Sequence, residues 1–497
     1  MTLGLSQLNR YCSDTDHPLP NRRTQAEIFA RSRGGIVHLS RRDVLRSGLL
    51  AGMTVAGASL ASCGGSGAPA GPAGGRYQWQ VPVVRRKPDS LPFPRRAAGT
   101  DTMPEIEHVV VLMMENHSYD NYLGMLRRGD GFTLGPDGRP NNWNPTSDGR
   151  RQLAFPMPND CQLDGKPSQE WVAAHQQYDR GTNMGFVRSP SGPVAMGYWD
   201  GEQLPFYYSL ASTFPLCDRW FSSMLGQTLP NRRYLTAATS AGMVDDLISQ
   251  AIAKPANGTI FDRLDAHGIS WRNYFHVGSL PTIDVWFTDP PTHSANVVPV
   301  AQFFADVSSG NLPGFSIVDP DFNSGSEEDP QDVSVGEAFA AQVVEAVMQG
   351  PAWSRTLLVW TYDEHGGYYD HVPPPPALAP DSIAPRAPVG PNGAKAYEGF
   401  RRYGFRVPAV VVSPYARREH VSHVLHDHTS ILATVERKWN LPALTYRDAN
   451  AADLLDVLDL SHPAFAEPPT LAAPAATAQA CTPGQAGTIP PVGSIRS

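Results

Sequence analysis

Short apolar runs recur along the middle of the chain and are too brief to be helices. They lie at residues 109–114, 315–318, 356–361 and 407–412. Each run is rich in Val, Ile and Leu, a composition typical of strands that are buried on both faces of a sheet. The pattern therefore predicts four central strands between residues 103 and 460.

Segments with helical periodicity separate these runs. Residues 332–350 carry apolar side chains at every fourth position, and Gly350 is placed to end the helix. Two further helices are predicted, one after an N-cap at Thr259 and one across residues 427–439. Alternating strands and helices indicate an α/β fold with a central, largely parallel sheet flanked by helices on both faces. In such folds the functional side chains gather at the carboxyl ends of the strands.

Two of the predicted strands end in polar pairs. Glu115 and Asn116 follow the first run, and Asp363 and Glu364 follow the third, with His365 next in the chain. Oxygen ligands suit a hard divalent cation, and neighbouring carboxylates need a counter-charge. One such pair alone would be explained by a solvated loop, whereas two pairs on separate strands favour a metal site.

A third polar segment, "GQTLPNRR", follows an apolar stretch. Thr228 comes just before Pro230, a residue that favours the first turn of a helix. Thr228 is therefore expected at a helix N-terminus, where backbone N–H groups favour a phosphate, and Arg232 and Arg233 add positive charge within one turn. The alternative is a simple N-cap. Beside a metal, however, the same hydroxyl has the geometry of a nucleophile.

Composition limits the class of protein. The 497 residues are enough for one large or two ordinary domains, and the 41% hydrophobic and 18% charged content is that of a folded globular chain. The net charge of -8 argues against a nucleic-acid-binding protein, which would carry a basic face. No nucleic-acid partner is therefore expected.

The start of the chain has the pattern of an export signal. Arg41 and Arg42 precede an uncharged stretch at 47–62, which is as long as a signal h-region and short for a membrane span. The paired arginines predict export by the twin-arginine route. The letters "LASC" end at Cys63 and resemble a lipoprotein cleavage site, so residues 1–63 are predicted to be a twin-arginine signal with a lipobox. The alternative is ordinary signal cleavage, with Cys63 incidental.

The remaining boundaries follow from composition. Residues 64–100 begin with a Gly- and Pro-rich run and are predicted to be a flexible tether, and 463–497 are predicted to be a disordered tail rich in Ala and Pro. The segment between them, 101–462, is then the folded domain. Three cysteines follow the leader, and one disulfide is expected, most readily between Cys161 and Cys217.

Four segments in this order carry a resemblance to a known family. They read "ENHSYDNYLG", "GQTLPNRR", "PQDVSVGEAF" and "TYDEHGGYYDHVPPP". The chain resembles, from about residue 105 to 439, the bacterial phosphoesterase family of phospholipases C and related acid phosphatases. That family belongs to the alkaline phosphatase-like superfamily, so the resemblance implies an alkaline phosphatase-like fold and a catalytic domain at 101–462.

The resemblance also implies roles for individual residues. One divalent metal ion would be held by Glu115, Asn116, Thr228, Asp363 and Glu364. This oxygen-rich set suits Ca, Mg, Mn or Fe and does not decide among them. Thr228 would be the nucleophile and would pass through a phosphothreonine intermediate.

Other side chains would transfer protons or bind the substrate. A histidine is expected to protonate the leaving group, and the candidates are His175, His365 and His428. The substrate-binding candidates are Asn231, Arg232 and His371. The segment around His175 typically reads H-x-W-x-x-x-H in the choline-specific branch, and Gln169 stands at the first histidine position here.

Three functions remain open from the sequence. The first is a metal-dependent phospholipase C that releases diacylglycerol and a phosphorylated headgroup. The second is an acid phosphatase acting on phosphate monoesters, and the third is a lipoprotein that binds phosphorylated ligands without turnover.

The expected partners are a phospholipid or small phosphoester and a membrane surface reached through a lipid anchor at Cys63. The expected location is the outer face of the cytoplasmic membrane, or the medium if the protein is secreted. Aromatic candidates for a choline pocket are Trp143, Trp171, Tyr178, Tyr198 and Trp199.

Overall fold

Two of the predicted strands lie side by side at the centre of an eight-stranded sheet. The structure is a computed structural model and describes residues 77–161, 167–246, 254–286, 294–386 and 397–475. All of these lie in one unit that spans residues 69–497. The predicted leader at 1–63 lies outside the described residues and stays a prediction.

The described residues contain fourteen strands. They are β1 His108–Met114, β2 Trp143–Pro145, β3 Arg151–Leu153, β4 Phe155–Pro156, β5 Gly197–Tyr198, β6 Leu216–Cys217, β7 Trp220–Phe221, β8 Trp271–Phe275, β9 Val297–Pro299, β10 Phe315–Val318, β11 Thr356–Tyr362, β12 Ala409–Val412, β13 Val421–Ser422 and β14 His426–Asp427.

Eight α-helices accompany these strands in the same ranges. They are α1 Tyr119–Leu123, α2 Trp171–Tyr178, α3 Pro205–Thr213, α4 Thr228–Ala237, α5 Ile260–Ala266, α6 Val300–Ser309, α7 Val333–Gln349 and α8 His428–Trp439. No helix in the part of the chain that the structure describes is long and apolar enough to cross a membrane.

The large sheet has the strand order β13-β6-β12-β11-β1-β10-β8-β9. Strand β1 pairs in parallel with β10 and β11, and β8 pairs in parallel with β10 and β9. The predicted largely parallel sheet is thus confirmed. Strand β12 differs because it runs antiparallel to both of its neighbours, and it begins at Ala409, two residues after the predicted start.

Helices cover both faces of this sheet. On β8, Trp271 packs against Phe261 of α5, with ring centroids 4.3 Å apart, whereas Tyr274 packs against Phe303 of α6 at 5.3 Å. Side chains three positions apart on a strand point to opposite faces. Helices α5 and α6 therefore lie on opposite sides, as the alternation of apolar segments predicted.

Local signals at the helix ends agree with the sequence. Thr259 caps α5, and its side chain and that of Asp262 form a reciprocal capping box. The Asp332 side chain accepts a hydrogen bond from the Ser334 amide at the start of α7, and Gly350 follows the last residue of that helix.

The tether predicted for 64–100 is wrong from Tyr77 onward. The side chain of Asn440 accepts a bond from the Phe93 amide and donates to three carbonyls of this segment, and the Asp89 amide donates to the Ala443 carbonyl. Hydrogen bonds to the backbone hold a segment whose composition alone predicts flexibility. Residues 64–76 lie outside the described residues.

The predicted tail also differs over its first part. Phe465 is buried, and the amide of Ala475 donates to the carboxylate of Glu337. Residues 463–475 therefore lie against the domain, while 476–497 are outside the described residues.

The predicted disulfide between Cys161 and Cys217 is wrong. Cys217 is a free thiol in the core, on β6. Cys161 is disulfide-bonded, and its partner lies outside the described residues.

Candidate active site

The first two polar pairs lie next to each other at one end of the sheet. Met114, the last residue of β1, pairs with Tyr362, the last residue of β11. Parallel strands end at the same edge, so Glu115 and Asp363 emerge as neighbours. The carboxylate of Asp363 accepts hydrogen bonds from the backbone amides of Asn116 at 3.1 Å and Glu364 at 2.7 Å. The structure thus brings the two polar pairs of the sequence together at one edge of the sheet.

Unusual backbone conformations bring the two loops this close. Asn116 has a φ of 69°, a left-handed conformation that Asn tolerates better than most residues. Gly366 has a φ of 64°, and a Cβ atom there would lie 1.8 Å from the carbonyl oxygen of Asn116. Gly366 also donates its amide to the Glu364 carboxylate at 2.9 Å. A residue without a side chain is therefore required where the strand ends touch.

Thr228 is the first residue of α4 and lies beside the strand ends. Its hydroxyl donates to the side-chain oxygen of Asn116 at 3.4 Å. The side chain of Asn231 holds the preceding loop, because its amide group bonds to Met224, Gly226 and Gln227. Asn231 is completely buried, so its position is that of a residue that fixes Thr228, and the prediction that it touches substrate is not supported.

Phosphate binding was expected at the N-terminus of α4, but most of the backbone N–H groups there already donate hydrogen bonds within the protein. The amide of Leu229 donates to Asp246 at 2.8 Å, Pro230 has no N–H, and the amide of Asn231 donates to the Gln227 carbonyl. Among the first four residues of the helix, Thr228 alone keeps an amide without an acceptor in the described residues. The helix thus offers one N–H to an anion.

Arg232 does not face open space, which corrects its predicted role in substrate binding. Its side chain is 1% exposed and donates to the Asp363 carboxylate at 3.2 Å. The same guanidinium donates to the carbonyls of Met113 and Met114 and to the hydroxyl of Thr282. The bonds to Met113, Met114 and Asp363 hold the ends of β1 and β11, so Arg232 positions Asp363.

Arg233 also turns away from Thr228. Its guanidinium donates to the carbonyls of Val285 and Ser240 and lies over the ring of Trp286. The Arg233 guanidinium, which was expected to add positive charge at the helix start, therefore packs against Trp286 instead.

The carboxylates at the strand ends carry more negative charge than the protein neutralises. Burial, and then the charge of Asp363, raise the pKa of both Glu115 and Glu364 well above the ordinary value. One oxygen of each, Oε2 of Glu115 and Oε1 of Glu364, is buried without a hydrogen-bond partner in the described residues. Buried, unpaired carboxylate oxygens are what a hard divalent cation requires as ligands. The residues therefore fit the metal that the sequence predicts.

Asp246 is a further member of this group that sequence reasoning missed. Burial, opposed by the bond from Leu229 and reinforced by Asp363, raises the pKa of Asp246 to about 7. The residue follows no strand, and its link to α4 spans 17 positions of the chain. The only signal in the sequence is the acidic pair that ends "GMVDD".

A buried glutamate, Glu327, supports the same region. Glu327 accepts hydrogen bonds from the hydroxyls of Tyr207, Tyr122 and Tyr362 at 2.6, 2.9 and 2.5 Å. Burial raises the pKa of Glu327 to about 8, although the tyrosine bonds oppose the shift. The preceding carbonyl, of Ser326, accepts the amide of Glu115. The cluster therefore fixes the loop against which Glu115 rests.

The most compact group of metal-ligating side chains in the described residues is a different one. Asp120, Asp370 and His371 bring ligand atoms within 4.8 Å of one another. The guanidinium of Arg406 already binds Asp370 at 3.0 Å and Asp120 at 3.1 Å. A bound cation would face this positive charge at close range. The cluster is therefore an internal ion-pair network, and the looser group of Glu115, Asp363 and Glu364 is the better candidate for a metal site.

His371 belongs to that network, which corrects its predicted contact with substrate. Its Nδ1 lies 2.7 Å from Asp120, and its Nε2 lies 3.3 Å from Asp130. Burial alone would lower the pKa of His371, but Asp120 and Asp130 outweigh burial and raise the pKa to about 9. The histidine is a buried cation held between carboxylates.

Two of the three predicted proton-transfer histidines lie next to the strand-end carboxylates of Asp363 and Glu364. His428 donates from Nε2 to the Asp363 carbonyl at 2.6 Å, and its Nδ1 is buried without a partner in the described ranges. His365 donates from Nε2 to the side chain of Gln177 at 2.7 Å and places Nδ1 3.1 Å from Glu364. Burial lowers the pKa of His428 to about 4 and that of His365 to about 3, so both rings are neutral near pH 7.

His175 borders an open cavity. Its Nδ1 donates to the carbonyl of Trp171 at 2.7 Å, and its ring stacks on Tyr397 with centroids 3.8 Å apart. The cavity has a volume of about 540 Å³, and His175, Tyr178 and Tyr397 are among the residues that line it. Burial lowers the pKa of His175 to about 4. Of the aromatic residues proposed for a choline pocket, Tyr178 lines this cavity and Trp171 contacts His175.

The other three aromatic candidates are placed elsewhere. Trp143 lies in the small sheet of β2 and β3 beneath the Arg151 guanidinium. Tyr198 packs on Phe132, and Trp199 packs edge-on against His117. None of these contacts involves Thr228 or the strand-end carboxylates.

Comparison with known proteins adds an independent finding. Residues 106–442 match the model of the Phosphoesterase family. The chain is 28% identical to phospholipase C A of Mycobacterium tuberculosis over 455 residues, covering 82% of this chain and 86% of the relative. It is 32% identical to non-specific phospholipase C6 of Arabidopsis thaliana over 396 residues, covering 71% and 72%.

Solved structures align only loosely. A protein of the alkaline phosphatase superfamily from Vibrio parahaemolyticus aligns with a TM-score of 0.36 at 10% identity, covering 73% of this chain and 72% of that chain. The lipoteichoic acid synthase LtaP of Listeria monocytogenes aligns with a TM-score of 0.35 at 6% identity, covering 71% and 78%.

Proposed function

The chain belongs to the Phosphoesterase family and is a phosphoric ester hydrolase, and on this premise we propose that it is a metal-dependent phospholipase C. The observation that carries the proposal is the contact between the Thr228 hydroxyl and Asn116 beside two carboxylates with unpaired oxygens. A nucleophile and a cation site in contact are what phosphoryl transfer needs. The relatives named phospholipase C support the choice of a phospholipid as substrate.

Thr228 is the proposed nucleophile. The Thr228 hydroxyl loses its proton to solvent and its Oγ1 attacks phosphorus. The bond between phosphorus and the diacylglycerol oxygen breaks, that oxygen takes up a proton, and the headgroup phosphate becomes esterified to Thr228. Water then attacks phosphorus, releases the phosphorylated headgroup and restores the hydroxyl. A divalent cation held by Glu115, Asn116, Asp363 and Glu364 would lower the pKa of the hydroxyl and neutralise charge on the phosphoryl oxygens.

The remaining residues orient this hydroxyl. Asn116 accepts its hydrogen bond, Asn231 fixes the loop before it, and Arg232 holds Asp363. The free amide of Thr228 is placed to donate to a phosphoryl oxygen.

His175 is the proposed proton donor to the diacylglycerol oxygen. His175 is 7% exposed and lines the open cavity, whereas His365 and His428 are 1% and 0% exposed and are not among the residues that line it. The negative charge of a phosphodiester bound beside the ring would raise the pKa of His175 from about 4, which favours the protonated form.

The test compares two substrates with the same enzyme and metal. The full chain is supplied in turn with Ca, Mg, Mn and Fe, and initial rates are measured on phosphatidylcholine and on p-nitrophenyl phosphate. We expect the lipid to react faster and to release diacylglycerol. Faster release of free phosphate from the monoester would make the protein an acid phosphatase, and no reaction with either substrate would favour the binding lipoprotein.

Export by the twin-arginine route and a lipid anchor at Cys63 complete the proposal. The anchor would place the enzyme on the outer face of the cytoplasmic membrane, close to its substrate. The expected result is incorporation of labelled palmitate into the native chain and none into Cys63→Ser. Labelling of neither chain, with all the protein in the medium, would indicate free secretion.

A further inference from the structure

Residues 77–87 form an exposed segment with an apolar centre and a basic end, here called the N-terminal strap. Val81 is 78% exposed, Val83 is 72% exposed and Val84 is 49% exposed. The next three residues are Arg85, Arg86 and Lys87. Apolar side chains exposed this far and this close together mark an interaction surface more often than chance.

The strap is held on both sides of its valines. Before them, the hydroxyl of Tyr77 donates to Asp130 at 2.6 Å, and the indole of Trp79 donates to the Pro373 carbonyl at 3.0 Å. After them, the side chain of Asn450 accepts the amides of Arg85 at 2.6 Å and Arg86 at 2.9 Å. The valines are therefore presented by a fixed backbone.

The strap lies at the end of the sheet that carries Asp363. Trp79 packs edge-on against Phe221, with ring centroids 5.8 Å apart. The backbone of Phe221 forms an isolated antiparallel β-bridge with that of Arg406. Arg406 comes three residues before Ala409, whose partner in β11 is Thr361, two residues before Asp363. A surface that binds the strap would therefore face the catalytic end of the molecule.

The charge of the strap region differs from that of the whole protein. Residues 77–100 contain five basic side chains, Arg85, Arg86, Lys87, Arg95 and Arg96, and one acidic side chain, Asp89, in a chain whose net charge is -8. A basic cluster on an acidic protein favours an anionic partner. Valines beside lysine and arginine fit a phospholipid surface, where the apolar side chains enter the acyl boundary and the cations meet the phosphates.

We propose that the N-terminal strap binds the surface of an anionic phospholipid bilayer and turns the catalytic end of the domain towards it. This contact goes beyond the proposed function, because it needs neither turnover nor a lipid anchor. It would add to the proposed anchor at Cys63 as a second, weaker attachment.

The experiment measures flotation with vesicles, using the full chain with Cys63→Ser so that no acyl chain is attached. The vesicles contain phosphatidylcholine alone or phosphatidylcholine and phosphatidylglycerol in equal parts. We expect binding to the anionic vesicles that weakens as salt is added, and little binding to the neutral vesicles. Binding should fall about tenfold or more in Arg85→Glu/Lys87→Glu and in Val81→Asp/Val83→Asp.

The matched control is Val277→Asp. Val277 is 80% exposed and has no lysine or arginine in its loop, "HVGSLPTID". It should bind as the parent does, and all variants should keep the parent's circular dichroism and its rate on p-nitrophenyl phosphate. Those two readings separate loss of membrane binding from unfolding and from failure of the proposed chemistry.

Three outcomes would overturn the proposal. The first is equal binding of the parent and both strap variants, and the second is an equal loss in the Val277 variant. The third is a change of oligomeric state in the strap variants without any binding to vesicles, because it would mean that a second copy covers the valines.

Discussion

At the scale of residues, a single hydrogen-bond partner determines where the Thr228 hydroxyl lies. As a first helical residue it would usually bond to its own helix, but here its hydroxyl donates to Asn116, across 112 positions of the chain. Asn116 in turn bonds through its backbone to Asp363. The three residues come from separate segments of the sequence, and only the family resemblance implied that they share one site; in the fold they are linked by these two hydrogen bonds.

We expect Thr228→Ala to abolish turnover without unfolding the protein. The change removes the oxygen that would be esterified and leaves the carboxylates that are proposed to bind the metal in place. Thr228→Ser is the matched control, since it keeps a hydroxyl at the same atom, and it should retain measurable activity. Rates on phosphatidylcholine and metal content by elemental analysis are the two readouts. Full activity in the alanine variant would contradict the covalent mechanism.

The raised pKa of His371 predicts a loss of stability at alkaline pH. Its pKa is about 9 in the folded chain, because Asp120 and Asp130 outweigh burial, and about 6.5 when unfolded. The folded state therefore binds this proton more tightly, so its stabilisation is complete below about pH 6.5 and is lost as the pH rises towards 9. The shift corresponds to about 3 kcal/mol in the free energy of unfolding.

Urea unfolding at several pH values measures this loss. His371→Asn should be less stable at low pH and should show a flatter decline between the two pKa values. The control is His462→Asn, which removes a histidine whose side chain is 84% exposed. If the parent and the His371 variant decline in parallel, another group is responsible.

At the scale of elements, the contact between the loops after β1 and β11 depends on Gly366. We expect Gly366→Ala to destabilise the protein strongly and to lower metal affinity, because the new Cβ would meet the Asn116 carbonyl at 1.8 Å. Gly268→Ala is the control, since that glycine has a nearly equal φ of 65° and nothing within 4 Å. The control should lose about 1–2 kcal/mol from backbone strain alone. Thermal unfolding and metal titration compare the two, and equal losses would mean that the loops do not need close contact.

The sequence predicted the elements better than their connections. Strands β1, β10 and β11 and helices α7 and α8 follow from local periodicity, and their residues are close to those predicted. The antiparallel direction of β12 depends on how the chain passes from β11 to β12, which no local pattern specifies. The burial of Arg232 and the approach of Asp246 to α4 depend on contacts between distant segments. For this reason the sequence predicted a free positive charge near Thr228, whereas in the fold the Arg232 guanidinium is buried and paired with Asp363.

Composition also misled the prediction at both ends of the domain. Gly, Pro and Ala enrichment indicates chain flexibility on average. The side chains of Asn440 and Asn450 nevertheless bind the backbone of residues 85–97, and a few such bonds are enough to order an irregular segment. These asparagines lie more than 340 positions away in the chain, out of reach of any local pattern.

At the scale of the whole molecule, the proposed metal would compete with protons for the carboxylates of Glu115 and Glu364. Without metal, Glu115 and Glu364 have raised pKa values because of burial and the charge of Asp363. We therefore expect metal binding to release protons. Titration calorimetry in two buffers with different ionisation enthalpies should give different heats, and Glu364→Gln should reduce that difference. A heat that does not depend on the buffer would contradict the assignment of these carboxylates as ligands.

Removal of the metal should also affect the fold. A chelator should abolish hydrolysis and lower the unfolding temperature, because a ligand that binds only the folded state stabilises it. Both changes should reverse when the metal is restored.

The three tyrosines around Glu327 give the molecule an internal optical label. Burial, followed by the nearby charge of Glu327, raises the pKa of Tyr122, Tyr207 and Tyr362 well above that of a free phenol. These phenols stay un-ionised in alkaline solution for as long as the sheet and its helices remain assembled. The ultraviolet absorption of tyrosinate would consequently appear in two stages, first from solvent-accessible rings and then, abruptly, when the centre of the protein opens.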